Sequence, residues 1–177
     1  MTTDLHPTPA ELPGAWQGEV LPQERPNGSV IYGARRFEFT ATRWSVRFEA
    51  FVGQLDRRPI FVAQAAGTYA LGPAWSPVAG ARQLDLFFDG RYLTMHAPDL
   101  LDQLRSAGYP AAQLGKAQDV TDDGALFIPS LAQAPVEYDV VLLRGGRLHF
   151  GTRSAEMTQP EGRPRTVQPD GLARLAT

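Results

Sequence analysis

Residues 43–52 constrain this chain more than any other stretch. Trp44, Val46, Phe48, Ala50 and Val52 alternate with Ser45, Arg47 and Glu49. Period two belongs to a strand with one buried and one wet face; a helix would scatter the same side chains around its circumference. Similar text fills residues 29–40 and 60–71. Between such runs the chain is punctuated by many of its 15 prolines and 17 glycines, residues that helix interiors tolerate badly and turns require. A strand-rich domain is the expectation, and 177 residues suit one core rather than two.

Residues 1–12 are proline-rich and aperiodic and read as a flexible lead-in, followed by a barrel or sandwich domain over 13–153. A first strand is expected over 14–21, then a break over 22–28 in which Asn27-Gly28 favours a tight turn. After the strand at 60–71 a loop should occupy 72–80. Residues 82–88 and 91–95 flank Asp89-Gly90, a hairpin signal. Pro98 at a first helical position, Asp99 near the positive N-terminus, the stripe Leu100, Leu101, Leu104 and the stop at Gly108 predict one short helix. Irregular chain follows, then strands over 136–143 and 147–151 joined at Gly145-Gly146. Residues 154–177 read as a polar tail packed on the domain surface. Seven or eight strands in hairpin order make an antiparallel all-β fold, either barrel or sandwich. Small residues at Ala63, Ala65 and Gly67 on one face favour a tightly curved wall or room for a ligand.

Several function classes are disfavoured. The net charge is −2 with 17 basic and 19 acidic residues, so a nucleic-acid partner has no electrostatic footprint. No apolar run approaches the length of a transmembrane helix. The chain contains no cysteine, which removes disulfides, thiolate nucleophiles and Cys-rich metal sites together. The first residues lack the basic and apolar regions of a signal peptide, and the expectation is a cytoplasmic protein. His6, His96 and His149 show no metal-ligand spacing: His6 lies in the lead-in, His96 should bond backbone, and His149 should face water. Neither a nucleophile elbow nor a phosphate-binding loop is present, so no enzyme activity, metal or cofactor is expected. Glu137 and Asp139 share one strand face. Such a pair can do acid–base work, but an exposed face with a salt bridge to Arg163 or another tail arginine is the plainer reading.

Gly14-Ala-Trp16 before a β-rich chain resembles the Gly-x-Trp opening of the lipocalins. Gly67-Thr-Tyr-Ala-Leu71, Tyr92-Leu-Thr-Met-His96, Gln118-Asp-Val-Thr121, Pro135-Val-Glu-Tyr-Asp139, Arg147-Leu-His-Phe-Gly151 and Arg163-Pro164, in this order, resemble the barrel domain of the adenomatosis polyposis coli down-regulated proteins. The resemblance runs from about residue 12 to 172. It implies a lipocalin-like antiparallel β-barrel with one short helix and a cavity that accepts a lipid. Animal members are extracellular inhibitors of Wnt signalling and carry cysteines around these motifs. Val20, Leu55, Ala125, Ala134 and Thr158 stand at about those places here, so the fold transfers better than the biology. Gly14-x-Trp16-x-Gly18 also resembles the opening of nitrobindin-like barrels, which bind haem through a late histidine, and His149 is late in this chain.

The expected function is non-enzymatic binding of a small apolar ligand, such as a fatty acid or other lipid, inside the barrel. Haem binding, an enzyme at the barrel mouth and a protein-interaction module are the alternatives. The aromatic and aliphatic strand faces supply the candidate lining: Phe37, Phe39, Trp44, Val46, Phe48, Phe61, Tyr69, Leu86, Phe88, Tyr138, Val140 and Leu142. Gly14, Trp16, Glu137, Asp139 and Arg163 are expected to be structural. Trp16 should plug one barrel end beneath an arginine, with Arg144, Arg147 or Arg153 as partner.

Overall fold

A computed structural model describes residues 7, 8, 10–24 and 28–176. Ten strands and one α-helix follow in order: β1 (Gly14–Gln17), β2 (Leu21–Glu24), β3 (Val30–Phe39), β4 (Arg43–Val52), β5 (Arg58–Ala74), β6 (Arg82–Met95), α1 (Pro98–Ser106), β7 (Ala117–Asp119), β8 (Val136–Arg144), β9 (Arg147–Phe150) and β10 (Leu172–Arg174). All pairings are antiparallel. Eight strands close a ring in the order β1-β3-β4-β5-β6-β8-β9-β10, the last pairing with the first. The fold is thus an antiparallel all-β barrel with a single short helix, as the alternation and the turn residues predict. None of the helices among the described residues is long and apolar enough to cross a membrane.

Closure depends on both ends of the chain. The expected single strand over 14–21 is two: β1 pairs with the second half of β3 and β2 with its first half. The break between them is held where the Gly18 N–H donates to the Arg35 carbonyl at 2.8 Å. The tail does more than lie on the surface, because its β10 fills the gap between β9 and β1. The lead-in ends in Leu12, which has no exposed surface and packs against Trp16 in the core. Asn27 lies outside the described residues.

Asp89-Gly90 is not a hairpin. β6 runs through both residues and pairs with β5 on either side of them. Neither adopts the positive φ that a two-residue hairpin turn needs. Asp89 is instead the extra residue of a β-bulge, since Ala66 pairs with Gly90 and Gly67 with Phe88. Gly67 permits the bulge: a Cβ there would lie 1.7 Å from the Phe87 carbonyl oxygen. β5 likewise continues through residues 72–74, expected as loop, with a second irregularity between Leu71 and Ala74. True hairpin chemistry appears at Gly145-Gly146, where both φ values are positive, 58° and 74°.

The helix forms where its punctuation places it. Pro98 opens it, Asp99 sits in the first turn, and the buried face is Leu100, Leu101 and Leu104. These leucines join Ala50, Ile60, Leu93 and Met95 in a cluster across one end of the barrel. The short β7, missed in the sequence, pairs with the part of β6 that β8 leaves free.

Candidate ligand site in the barrel interior

Register fixes which side chains point inward. Phe37 pairs with Val46, Val46 with Ala65 and Ala65 with Arg91, so all four project from one face. This inward face is divided into two halves. At the end bearing the β3–β4 turn, Trp16, Phe37, Phe39, Trp44, Leu84, Leu86, Val141, Leu148, Phe150 and Leu172 are buried together. Phe37 and Phe150 stack across the barrel at 4.4 Å. Arg174 of β10 covers Trp16 with its guanidinium 4.5 Å from the ring centre, and the indole N–H donates to the Leu12 carbonyl at 2.9 Å. The arginine partner is therefore Arg174, not Arg144, Arg147 or Arg153. It comes from the strand that the sequence reading had assigned to the tail.

Towards the helix end the inward face keeps accessible surface. Val46, Phe48, Phe61, Ala63, Ala65 and Phe88 are half-buried although they face the interior. Phe48 and Phe61 are 5.9 Å apart, and Phe61 reaches Phe127 at 4.9 Å. A cleft of about 90 Å³ opens there, lined by Ile31, Ile60, Phe61, Leu100, Leu126 and Phe127 among others. Leu126 and Phe127 are exposed at this mouth, and Leu126 holds a positive φ of 54°, which costs a residue with a Cβ about 1 kcal/mol or more.

Between the halves lies a charged belt. Glu137 of β8 accepts two parallel hydrogen bonds from Arg153, at 2.7 and 2.8 Å. Half of the Arg153 side-chain surface remains accessible, yet desolvation is the largest influence on its charge, outweighed only by Glu137 and Asp139 together, which hold its pKa above the usual value. Arg35 of β3 points inward opposite Phe48 and donates to the Gln168 side chain across the barrel; burial lowers its pKa. Asp139 is almost wholly buried. Burial first, then the nearby Glu137 charge, pushes its pKa up to about 7, against hydrogen bonds from the Val140 and Gly151 N–H groups at 2.7 and 2.9 Å. Arg91 is buried with its guanidinium 4.0 Å from the Phe88 ring centre, and it donates to the carbonyls of Pro129, Ser130 and Ala134. It fastens the segment before β8 to the wall.

Of the residues expected to line a cavity, Phe48 and Phe61 lie in the accessible half, while Val46 and Phe88, also half-buried, pack against the other cluster at the border between the two. Phe37, Phe39, Trp44 and Leu86 belong to the packed end. Tyr69 sits at its rim, donating to the Thr40 carbonyl at 2.9 Å. Tyr138, Val140 and Leu142 point outward, because the inward parity of β8 belongs to Glu137, Asp139 and Val141. Leu142 packs instead with Val78, Ala81, Trp75 and Val167. The sequence misled here because the alternation of β8 has the opposite sense to that expected: Val136, Tyr138 and Val140 face outward and Glu137 and Asp139 inward. The acidic pair therefore faces the interior rather than solvent.

Arg163 does not pair with that acidic face. It bonds Asp85 at 2.6 Å and the carbonyls of Leu84 and Asp139, its charge near the Trp75 and Tyr138 rings. Gly14, at φ 132°, lies against the Arg174 guanidinium, where a Cβ would sit 3.4 Å from it. His149 points outward as alternation requires but is buried under residues 168–171, its Nδ1 3.0 Å from the Gln168 carbonyl. It cannot reach a ligand inside the barrel. His96 uses its backbone N–H to hold the Ile60 carbonyl at 2.8 Å.

A groove of about 840 Å³ is lined on the outer face by Ala34, Arg47, Glu49 and Val62 among others and extends to Ala50 and Phe61, so that Phe61 borders both it and the smaller cleft. Of its charged side chains Arg47 pairs with Glu49 at 2.7 Å and Glu19 with Arg147 at 2.9 Å, and Arg57 lies over the Phe51 ring. The interior carries the more specific chemistry. Residues that sequence reasoning missed there are Arg35, Arg91 and Gln168. For the two arginines a signal existed, since each interrupts an apolar face at an inward parity. Comparison of the chain with protein-family models and with curated proteins finds no match.

Proposed function

We propose that the protein is a non-enzymatic carrier or sensor of a small, largely apolar ligand held in the helix-side half of the barrel. One observation carries this reading: inward-facing Val46, Phe48, Ala63, Ala65 and Phe88 keep accessible surface while the opposite half is packed. An eight-stranded barrel is about wide enough to be filled by side chains or to hold one small ligand, and the contrast between the two ends fits the first at one end and the second at the other. Apolar walls with a few placed polar groups are the usual form of such sites. A ten-carbon chain gains roughly 8 kcal/mol at about 0.8 per buried methylene. Association costs on the order of 4 kcal/mol or more, so a surplus of at most about 4 kcal/mol remains for such a chain, which corresponds to affinity in the millimolar range.

The likeness of the motifs to the barrel domain of the adenomatosis polyposis coli down-regulated proteins supports the same reading, as a lipid-accepting barrel. A cysteine-free version needs no oxidising compartment, and we place it in the cytoplasm. The haem alternative loses its ligand candidate, since His149 lies outside the barrel. Native mass spectrometry after gentle purification tests the proposal: a retained apolar molecule at one per chain is expected. Chain free of ligand that also fails to bind a fluorescent fatty acid saturably would end the carrier reading.

A further inference from the structure

The charged belt lies between the packed end and the apolar half. Glu137 is committed to Arg153 through two hydrogen bonds. Arg35 makes no ion pair among the described residues. Its Nη2 donates to Gln168, and neither Nε nor Nη1 has a partner among them. The side chain is partly buried and projects from the inward face, opposite Phe48. The charges acting on it are those of Arg153, Asp139, Glu137 and the exposed Asp170. Burial raises the pKa of Asp139 to about 7, and its carboxylate is engaged by the Val140 and Gly151 N–H groups. Two guanidiniums, Arg35 partly buried and Arg153 exposed, thus stand near one committed carboxylate. An incoming anion can take up the two free donors in charge-assisted hydrogen bonds.

We propose that Arg35 is the head-group site of the barrel, so that the ligand is a monoanionic amphiphile whose carboxylate or equivalent group meets Arg35 while its apolar part lies along Val46, Phe48 and Ala63. This rests on the carrier reading and adds the chemical class of the ligand. The alternative source of an anion, a free inorganic one, would bind without an apolar tail.

The test is displacement of a fluorescent apolar dye by decanoate, decanol and inorganic phosphate at about pH 6.5, where a fatty carboxylate is ionised. Wild type should bind decanoate at least about ten-fold more tightly than decanol, with phosphate far weaker than either. Arg35→Gln should bring decanoate to the level of decanol and leave decanol within about two-fold. Arg35→Lys, which keeps the charge, should retain part of the preference. Equal affinity for decanoate and decanol in wild type overturns the head-group site and leaves the carrier reading standing. So does an equal loss of both ligands in folded Arg35→Gln, which would make Arg35 structural. Phosphate binding as tight as decanoate would overturn the amphiphile in favour of a free anion. If neither decanoate nor decanol displaces the dye, the carrier reading falls and this one with it. The wild-type comparison needs no variant to fold.

Discussion

The Arg174 guanidinium rests 4.5 Å from the centre of the Trp16 ring, and through this contact the last strand of the chain is joined to the first. Trp16 is almost fully buried among Leu12, Phe37 and Leu172. Trp16→Ala should cost about 3–5 kcal/mol of unfolding free energy, the usual range for truncating a buried tryptophan. Arg174→Gln should cost only about 0.5–1 kcal/mol, because its cation–π contact is exposed. Urea unfolding followed by fluorescence of the remaining tryptophans measures both, and near-normal stability of Trp16→Ala would show that the plug is not where the barrel draws its strength.

Gly67 makes a second prediction, about the bulge. With the Phe87 carbonyl oxygen 1.7 Å from any added Cβ, Gly67→Ala must move backbone rather than a flexible side chain. A loss of about 1–3 kcal/mol is expected, as for other overpacked interiors. Ala66→Gly, one residue away, should cost less than about 1 kcal/mol. Equal effects of the two would mean that the bulge is not held by close approach.

Arg163 holds the tail to the barrel. Its side chain is 6% exposed and joins Asp85 to two strand carbonyls. Arg163→Met removes the charge but leaves Asp85 without its partner, and about 3 kcal/mol should be lost. Limited proteolysis should then cut after residue 153 faster than in wild type. Unchanged cleavage with unchanged stability would contradict this anchoring role.

Asp139 gives a pH signature. Its pKa rises from 3.8 to about 7 on folding, so between these values the folded state binds the extra proton. Stability contributed by the protonated form is complete below the unfolded pKa, falls as pH rises towards 7, and is flat above it. Asp139→Asn keeps an oxygen for the Val140 and Gly151 N–H groups and cannot ionise. The variant should match wild type near pH 4 and exceed it by a few kcal/mol at pH 8. A difference between the two proteins that does not change with pH would show that Asp139 is not held by burial.

Much of this fold was legible in the sequence because half-buried strands alternate. β4, with Trp44, Val46 and Phe48 on one face, is read correctly from residue types alone, and so are α1 and the Gly145-Gly146 turn. Legibility failed where tertiary structure covers a second face or pairs distant segments. Tyr138, Val140 and Leu142 looked like lining because β8 turns this apolar side outward, where later chain covers Leu142, and its acidic pair inward. Asp89-Gly90 looked like a turn because no local rule shows that Gly67, more than twenty positions earlier, waits to accept a bulge. β10 has only three residues and no pattern of its own; it is a strand because β9 and β1 leave a gap. The charged belt was hidden differently. Arg35 interrupts an apolar face, but Arg153 carries no such signal, and the two are brought together only by ring closure.

The central claim is that ligand occupies the helix-side interior and not the outer groove, and two substitutions on adjacent strands of one wall separate the two. Val46→Trp fills the interior, while Ala34→Trp fills the groove lined by Arg47 and Glu49. Titration of a fluorescent fatty acid into each folded variant reads the answer. Binding should saturate at one per chain in wild type, weaken at least about ten-fold in Val46→Trp, and stay within about two-fold in Ala34→Trp. Loss of affinity in Ala34→Trp with full affinity in Val46→Trp would place the ligand on the outer face and contradict the account.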